Sequence, residues 1–321
     1  MSKRGRGRAR LGGGIVVALA AVSLALLAAG PPPASGQSSG ASGDFAGRVE
    51  IPGGRHLYLE CHGSGWPTVI FESGLRSKGD IWTWSREGVG TGVQPRVAPF
   101  TRTCFYDRPG TLAHFPYVSR SDPVPMPRST GEVVSDLHAL LTAAGVPGPY
   151  VMVGASTGGL IVRQYASLYP AEVSGLVLVD AISEAMEGLM KRRQFARYNA
   201  FYLQSPSPDA AQYDHLEAID FYRSFAEMKP LRRSPRKLPV FVISANYGFA
   251  PPAGISRRFA VLVNRTWKRG QLYLASLHPH TKRVVAFGSG HQVHVNRPDL
   301  VARFVLRMVA RARSQALTYG R

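Results

Sequence analysis

The sequence is short of acid. Its 321 residues hold 20 Asp and Glu against 39 Lys and Arg, a formal balance of +19, and only 18% are charged. That excludes a disordered acidic tail. Gly (34) and Pro (24) are too few for a collagen-like fibre, and 45% hydrophobic residues suffice for a sizeable core in one large α/β domain or two smaller ones. No internal repeat is evident. Acid is wholly missing from the first 36 residues, which carry Lys3, Arg4, Arg6, Arg8 and Arg10. Without that stretch 34 bases still face 20 acids, so the body is basic in its own right.

Residues 11–30 lack any charge, and Pro31, Pro32 and Pro33 end a helix there. A basic start before such a run reads as a secretory signal. It is equally long enough to remain as an anchor, since about 20 apolar residues span a bilayer. Residues 1–30 are therefore expected to be a signal peptide or membrane anchor. Residues 31–44, rich in Pro, Gly and Ser, are expected to be a flexible linker. Either way residues 45–321 are expected to be extracytoplasmic, secreted or tied to a membrane or anionic envelope by the N-terminal segment. The two cysteines, Cys61 and Cys104, both sit at strand-like positions. In an oxidising compartment they would form a disulfide, and otherwise two buried thiols.

From residue 46 short apolar runs alternate with helical patterns. The expected strands are Arg48–Ile51, Leu57–Cys61, Val69–Glu72, Thr103–Tyr106, Tyr150–Val153, Leu176–Val179, Val240–Ser244 and Val284–Phe287. Pro52-Gly53-Gly54 makes a hairpin of the first two, and the later Val/Ile/Leu-rich runs suit parallel strands buried on both faces. Helices are expected over 132–144, 158–169 and 299–312. The first is opened by a capping box of Ser129 and Glu132 and closed by Gly145. The alternation predicts a doubly wound sheet. Residues 182–237 break the rhythm with Met186, Phe195, Tyr198, Phe201, Tyr202 and further aromatics. This stretch reads as a helical insertion, too long for an ordinary crossover and more like a lid.

Gly154-Ala155-Ser156-Thr157-Gly158 is a G-x-S-x-G pentapeptide. Composition alone yields about 0.3 such matches in a chain like this, and a second one, at Gly36–Gly40, follows no strand. The match at Ser156 lies between an expected strand and an expected helix, the setting in which a sharp turn exposes a serine hydroxyl above a sheet. Ser156 is accordingly the candidate nucleophile, with a helix N-cap as its other reading. Its candidate base is His291, after the last strand and the loop Gly288-Ser289-Gly290, with His294 as fallback. Two backbone N–H groups would bind a developing oxyanion. Thr157 supplies one, and Leu75, in the loop Glu72-Ser73-Gly74-Leu75, supplies the other. A metal site at His278, His280, His291 and His294 lacks a carboxylate, so no metal or other cofactor is expected. The bases are spread out rather than grouped with stacking aromatics, so no nucleic-acid partner is expected.

Taken together, Thr68–Leu75, Tyr106–Gly110 (YDRPG), Tyr150–Gly159, Leu176–Ala181, Leu238–Ser244 and Val284–His291 resemble the α/β-hydrolase superfamily over roughly residues 47–315. The resemblance implies a mostly parallel eight-stranded sheet, a helical cap at about 182–237, and a Ser–acid–His triad in that chain order. It also implies that the second strand pairs with the fourth, bringing Cys61 beside Cys104. Two departures stand out. The oxyanion loop carries Ser73-Gly74 where many members have His-Gly. The position after the seventh strand, where the acid usually stands, is empty, because no Asp or Glu occurs between Ala245 and Leu277. Asp180, at the end of the sixth strand, is the replacement that some relatives use, with Glu184 behind it. Asp107 reads as structural. The implied activity is hydrolysis of a carboxylic ester, through an acyl-enzyme, on a small-molecule substrate with an apolar acyl or ring group. The alternative is a non-catalytic cell-surface binding protein on the same fold.

Overall fold

The computed structural model describes residues 43–112, 118–207, 210–231 and 238–318. The expected signal or anchor and nearly all of the linker lie outside them.

Eight strands form one sheet: β1 (Phe45–Ile51), β2 (Arg55–His62), β3 (Val69–Glu72), β4 (Thr103–Tyr106), β5 (Tyr150–Ala155), β6 (Val173–Val179), β7 (Val240–Ala245) and β8 (Lys282–Ala286). Their spatial order is β1-β2-β4-β3-β5-β6-β7-β8. β1 and β4 each run antiparallel to β2, and every other neighbour pair is parallel. The helices are α1 (Val93–Val97), α2 (Thr130–Ala143), α3 (Thr157–Leu168), α4 (Ala185–Leu189), α5 (Arg192–Tyr198), α6 (Phe221–Leu231), α7 (Arg257–Ser276), α8 (Val293–Asn296) and α9 (Pro298–Thr318).

The sheet is buried on both faces because its central strands are apolar at most positions of either face. Alternate side chains point to opposite sides. Met152, Leu176, Leu178 and Val242 pack with α2, α3 and the cap helices, whereas Val151, Val153, Val177, Val179 and Ile243 pack against α1 and α9. Helix α2 begins with the expected capping box: the Glu132 N–H donates to Ser129 Oγ and the Ser129 N–H donates to Glu132 Oε2.

Strands β3 and β4 have the expected ends, and the others differ by one to three residues. Phe287 leaves the sheet and is 72% exposed. The 20-residue helix α7 is absent from the sequence expectations. Two signals for it stand in the sequence: Phe259, Ala260, Val263, Trp267 and Leu274 recur at helical spacing and form its buried face, and the Ser256 hydroxyl caps its start by accepting from the Phe259 N–H.

Cys61 and Cys104 are register partners on β2 and β4 and form a disulfide. It closes a separation of 43 residues, which by chain entropy restrains the unfolded state by about 4 kcal/mol. Between β6 and β7 the chain makes the expected helical insertion, with α4, α5, a π-helical continuation at Asn199–Gln204, and α6. Its Phe195, Tyr198, Phe221 and Phe225 are buried, so the segment is both a cap and a set of packed connecting helices. Among the described residues no helix is long and apolar enough to cross a membrane.

Candidate active site

The end of β5 turns directly into α3 at Ser156. The bend forces Ser156 to φ 53° and ψ −119°, a region that costs a non-glycine residue on the order of 1–3 kcal/mol. Its neighbours hold it there. The Ser156 N–H donates to the Val179 carbonyl (3.0 Å), and the Ser156 carbonyl accepts from Gly159 (3.1 Å) and Ile182 (3.0 Å). Two positions require glycine. A Cβ on Gly154 would meet the Gly158 carbonyl oxygen at 2.4 Å, and one on Gly158 would meet the Glu72 carbonyl oxygen at 2.3 Å.

Three of the expected site residues come together in a hydrogen-bonded chain. Ser156 Oγ lies 2.9 Å from His291 Nε2, and His291 Nδ1 lies 2.7 Å from Asp180 Oδ2. An ionised carboxylate only accepts, so Nδ1 carries the imidazole proton and Nε2 is left to accept from the serine hydroxyl. Asp180 is buried. Its Oδ1 accepts from the Ala245 N–H (2.9 Å) and its Oδ2 from the Trp267 indole N–H (3.1 Å). Ala245 ends β7, beside the position where the acid was expected and missing. Neighbouring parallel strands end at the same rim about 4.8 Å apart, so a carboxylate on β6 reaches an imidazole that one on β7 would serve. Trp267 and Phe249 also pack on the His291 ring, at centroid distances of 5.4 and 4.7 Å. Neither was anticipated, since Trp267 belongs to the unforeseen α7.

Glu184, the other candidate acid, has different partners. Arg163 Nη1 and Nη2 donate to it at 2.7 and 3.0 Å and the Tyr273 hydroxyl at 2.9 Å. Burial works against its charge, but Arg163 outweighs that and holds its carboxyl below the usual range. Asp107 takes the structural place expected of it, accepting from the Gly79 and Arg120 N–H groups and from the Arg120 guanidinium. Leu75 and Thr157 both line a cavity of about 280 Å³, together with Ser156, His291, Tyr198 and Tyr202. Thr157 is the first residue of α3, where the N–H has no intrahelical acceptor. Among the described residues no cluster of His, Cys, Asp or Glu could hold a metal ion.

His294, the fallback base, lies 5% exposed against Trp82, and its Nδ1 has no partner. Burial, with a smaller contribution from His291, pulls its pKa down from 6.5 to about 3. Between those values the unfolded chain binds a proton that the native one refuses. Native stability therefore falls as pH drops from 6.5 toward 3 and is unaffected by this group above that window. The melting temperature of His294→Gln should decline less between pH 7 and 4 than that of the wild type. Parallel melting curves would show that His294 titrates normally.

A sheet in this order, with a serine raised on the bend after the fifth strand, is the α/β-hydrolase fold. A family model described as alpha/beta hydrolase fold matches residues 107–237, from Asp107 through Ser156 and Asp180 to the end of the cap. An uncharacterised protein of Schizosaccharomyces pombe is 33% identical over 145 residues, covering 39% of this chain and 26% of that protein. The chain thus matches about a quarter of that relative's length. Among solved structures, an esterase of a Rhodococcus species superposes with a TM-score of 0.52 at 17% identity, covering 83% of this chain and 98% of that one. A bromoperoxidase of Bacillus anthracis superposes with a TM-score of 0.55 at 16% identity, covering 83% and 100%. One is named an esterase and the other a bromoperoxidase, so the likeness is one of fold.

Proposed function

We propose that the protein is a serine hydrolase that cleaves carboxylic esters through an acyl-enzyme. The observation that carries this reading is the continuous chain from Ser156 Oγ through His291 to the buried Asp180, with the serine on a strained bend at the edge of a cavity. Ser156 Oγ attacks the ester carbonyl carbon while His291 Nε2 takes the hydroxyl proton. Asp180 balances the imidazolium that results. The Leu75 and Thr157 N–H groups receive the tetrahedral oxyanion, and loss of one such donor typically costs about 10²–10³ in kcat. The intermediate collapses as His291 protonates the leaving alkoxide. Water, deprotonated by the same imidazole, then releases the acid.

Substrate size follows from the cavity. At about 280 Å³ it falls just below the roughly 300–1,000 Å³ of sites for drug-sized ligands. Tyr198, Tyr202, Leu203, Phe249 and Trp267 give it an apolar, aromatic part, and Arg76, Ser77 and Gln292 contribute a polar one. A short acyl chain or a single ring suits it. The Cys61–Cys104 disulfide accords with an extracytoplasmic protein, delivered or tethered by residues 1–30. The alternative of a non-catalytic binding protein was motivated by the empty acid position after β7, and Asp180 removes that motive.

The test is a fluorophosphonate probe followed by peptide mapping, alongside hydrolysis of nitrophenyl acetate, butyrate and octanoate. Stoichiometric labelling of Ser156 and turnover favouring the shorter esters are expected. No label on Ser156 and no hydrolysis of any of the esters would leave the binding protein as the better reading.

A further inference from the structure

The loop Ser73-Gly74-Leu75 is held from behind by a buried cation. Arg108, from the Tyr-Asp-Arg-Pro-Gly stretch after β4, donates from Nη1 to the Ser73 carbonyl (3.0 Å) and from Nη2 to the Gly74 carbonyl (2.6 Å). Its other donors meet two carboxylates. Nη1 bonds Glu72, at the end of β3, while Nε and Nη2 bond Glu217 of the cap at 2.6 and 3.1 Å. All five guanidinium N–H groups are thereby used. Arg108 and Glu217 are each 2% exposed and Glu72 is fully buried. Burial opposes the Arg108 charge, but Glu217 and Glu72 outweigh it and hold the guanidinium above its usual range. Glu217 also accepts the Arg76 backbone N–H, and its carbonyl accepts from Arg76 Nε (3.1 Å), so the cap grips the loop a second time.

The Gly74 carbonyl and the Leu75 N–H belong to one peptide unit. In a trans peptide they point in opposite directions. A guanidinium fixed on the carbonyl side therefore aims the N–H away from itself, and by drawing charge onto the oxygen it makes that N–H a stronger donor.

We propose that Arg108 is a positioning residue for the oxyanion site: it orients and polarises the Gly74–Leu75 peptide, and Glu217 of the cap keeps it in place, so that a formed oxyanion site requires a seated cap. This rests on the hydrolase reading above. It gives the cap a task beyond covering the substrate, because the cap supplies the carboxylate that secures Arg108.

The experiment compares wild type with Glu217→Gln and Arg108→Lys. Each is assayed for kcat and KM on nitrophenyl butyrate, for inhibition by a phenylboronic acid that forms a tetrahedral adduct on serine, and for thermal stability. Glu217→Gln keeps the shape of the side chain and is the variant expected to fold. Its kcat should fall about tenfold with little change in KM, and boronate affinity should fall by the same factor, since both the adduct and the transition state place an oxygen on the N–H pair. Arg108→Lys should fall further, because a single ammonium cannot hold both carbonyls and both carboxylates. A lowered melting temperature with kcat and boronate affinity unchanged per folded molecule would reduce the cluster to a structural role and overturn the proposal. A wild type that neither hydrolyses esters nor binds the boronate would instead overturn the hydrolase reading, and the clamp with it.

Discussion

Ser156→Ala is expected to lower kcat for a short nitrophenyl ester by roughly 10⁴- to 10⁶-fold while leaving the fold intact. The size follows from the chemistry. Ser156 Oγ is the atom that would bond to the substrate carbon, and nothing else within the hydrogen-bonded chain can replace it. What remains after its removal is the oxyanion site acting on a slow attack by water. The variant should stay close to wild type in stability, because alanine removes no contact that holds the bend and loses only the bond to His291 Nε2. Since the three side chains act as one unit, Ser156→Ala combined with His291→Ala should be hardly slower than Ser156→Ala alone. Steady-state kinetics on both variants, with a fluorophosphonate titration to exclude wild-type contamination, would check this. Ser156→Ala retaining a tenth of wild-type activity would mean that the hydrolysis happens elsewhere.

Asp180→Asn should cost about 10⁴-fold in kcat near neutral pH. Asp180 faces three donors: the Ala245 N–H, the Trp267 indole N–H and the His291 Nδ1–H. An ionised carboxylate accepts all three. An asparagine amide has only one oxygen, so its NH₂ must turn toward at least one of them. Where it turns toward His291, the proton moves to Nε2, and that nitrogen can no longer accept from Ser156. Glu184→Gln is the control. It strands the buried Arg163 and should lower the melting temperature, yet kcat should stay close to wild type because Glu184 touches none of the reacting groups. If Glu184→Gln were the slow variant and Asp180→Asn the fast one, the acid would have been misassigned.

Much of the site was legible because its signals are local. The bend at Ser156 announces itself through two glycines, a preceding apolar run and a following helical pattern, all within about twenty residues. The loop before His291 follows a strand readable from Val284, Val285 and Ala286. Asp180 followed from the resemblance, since it closes the apolar run of β6 and the position after β7 held no acid. The role of Trp267 was not legible, because an indole N–H gives no sign in sequence of which carboxylate it will meet. Arg108 was noticed as part of a family-like stretch, but its bonds to Glu72 and Glu217 join three segments far apart in the chain.

The sequence by itself determined which segments would be strands and several of the helices, where the hydroxyl would be raised, and which imidazole would stand at the last strand's end. Each of these depends on backbone preference and on which face of an element is apolar, and both are properties of short windows. Only the tertiary structure decided which acid reaches that imidazole, what orients the acid, and what grips the loop opposite the serine. Asp180 and His291 lie 111 residues apart, and Ser156 and His291 lie 135 apart. Over such distances contact is set by strand order and helix packing, which arise from burial of the whole core rather than from any one stretch of chain.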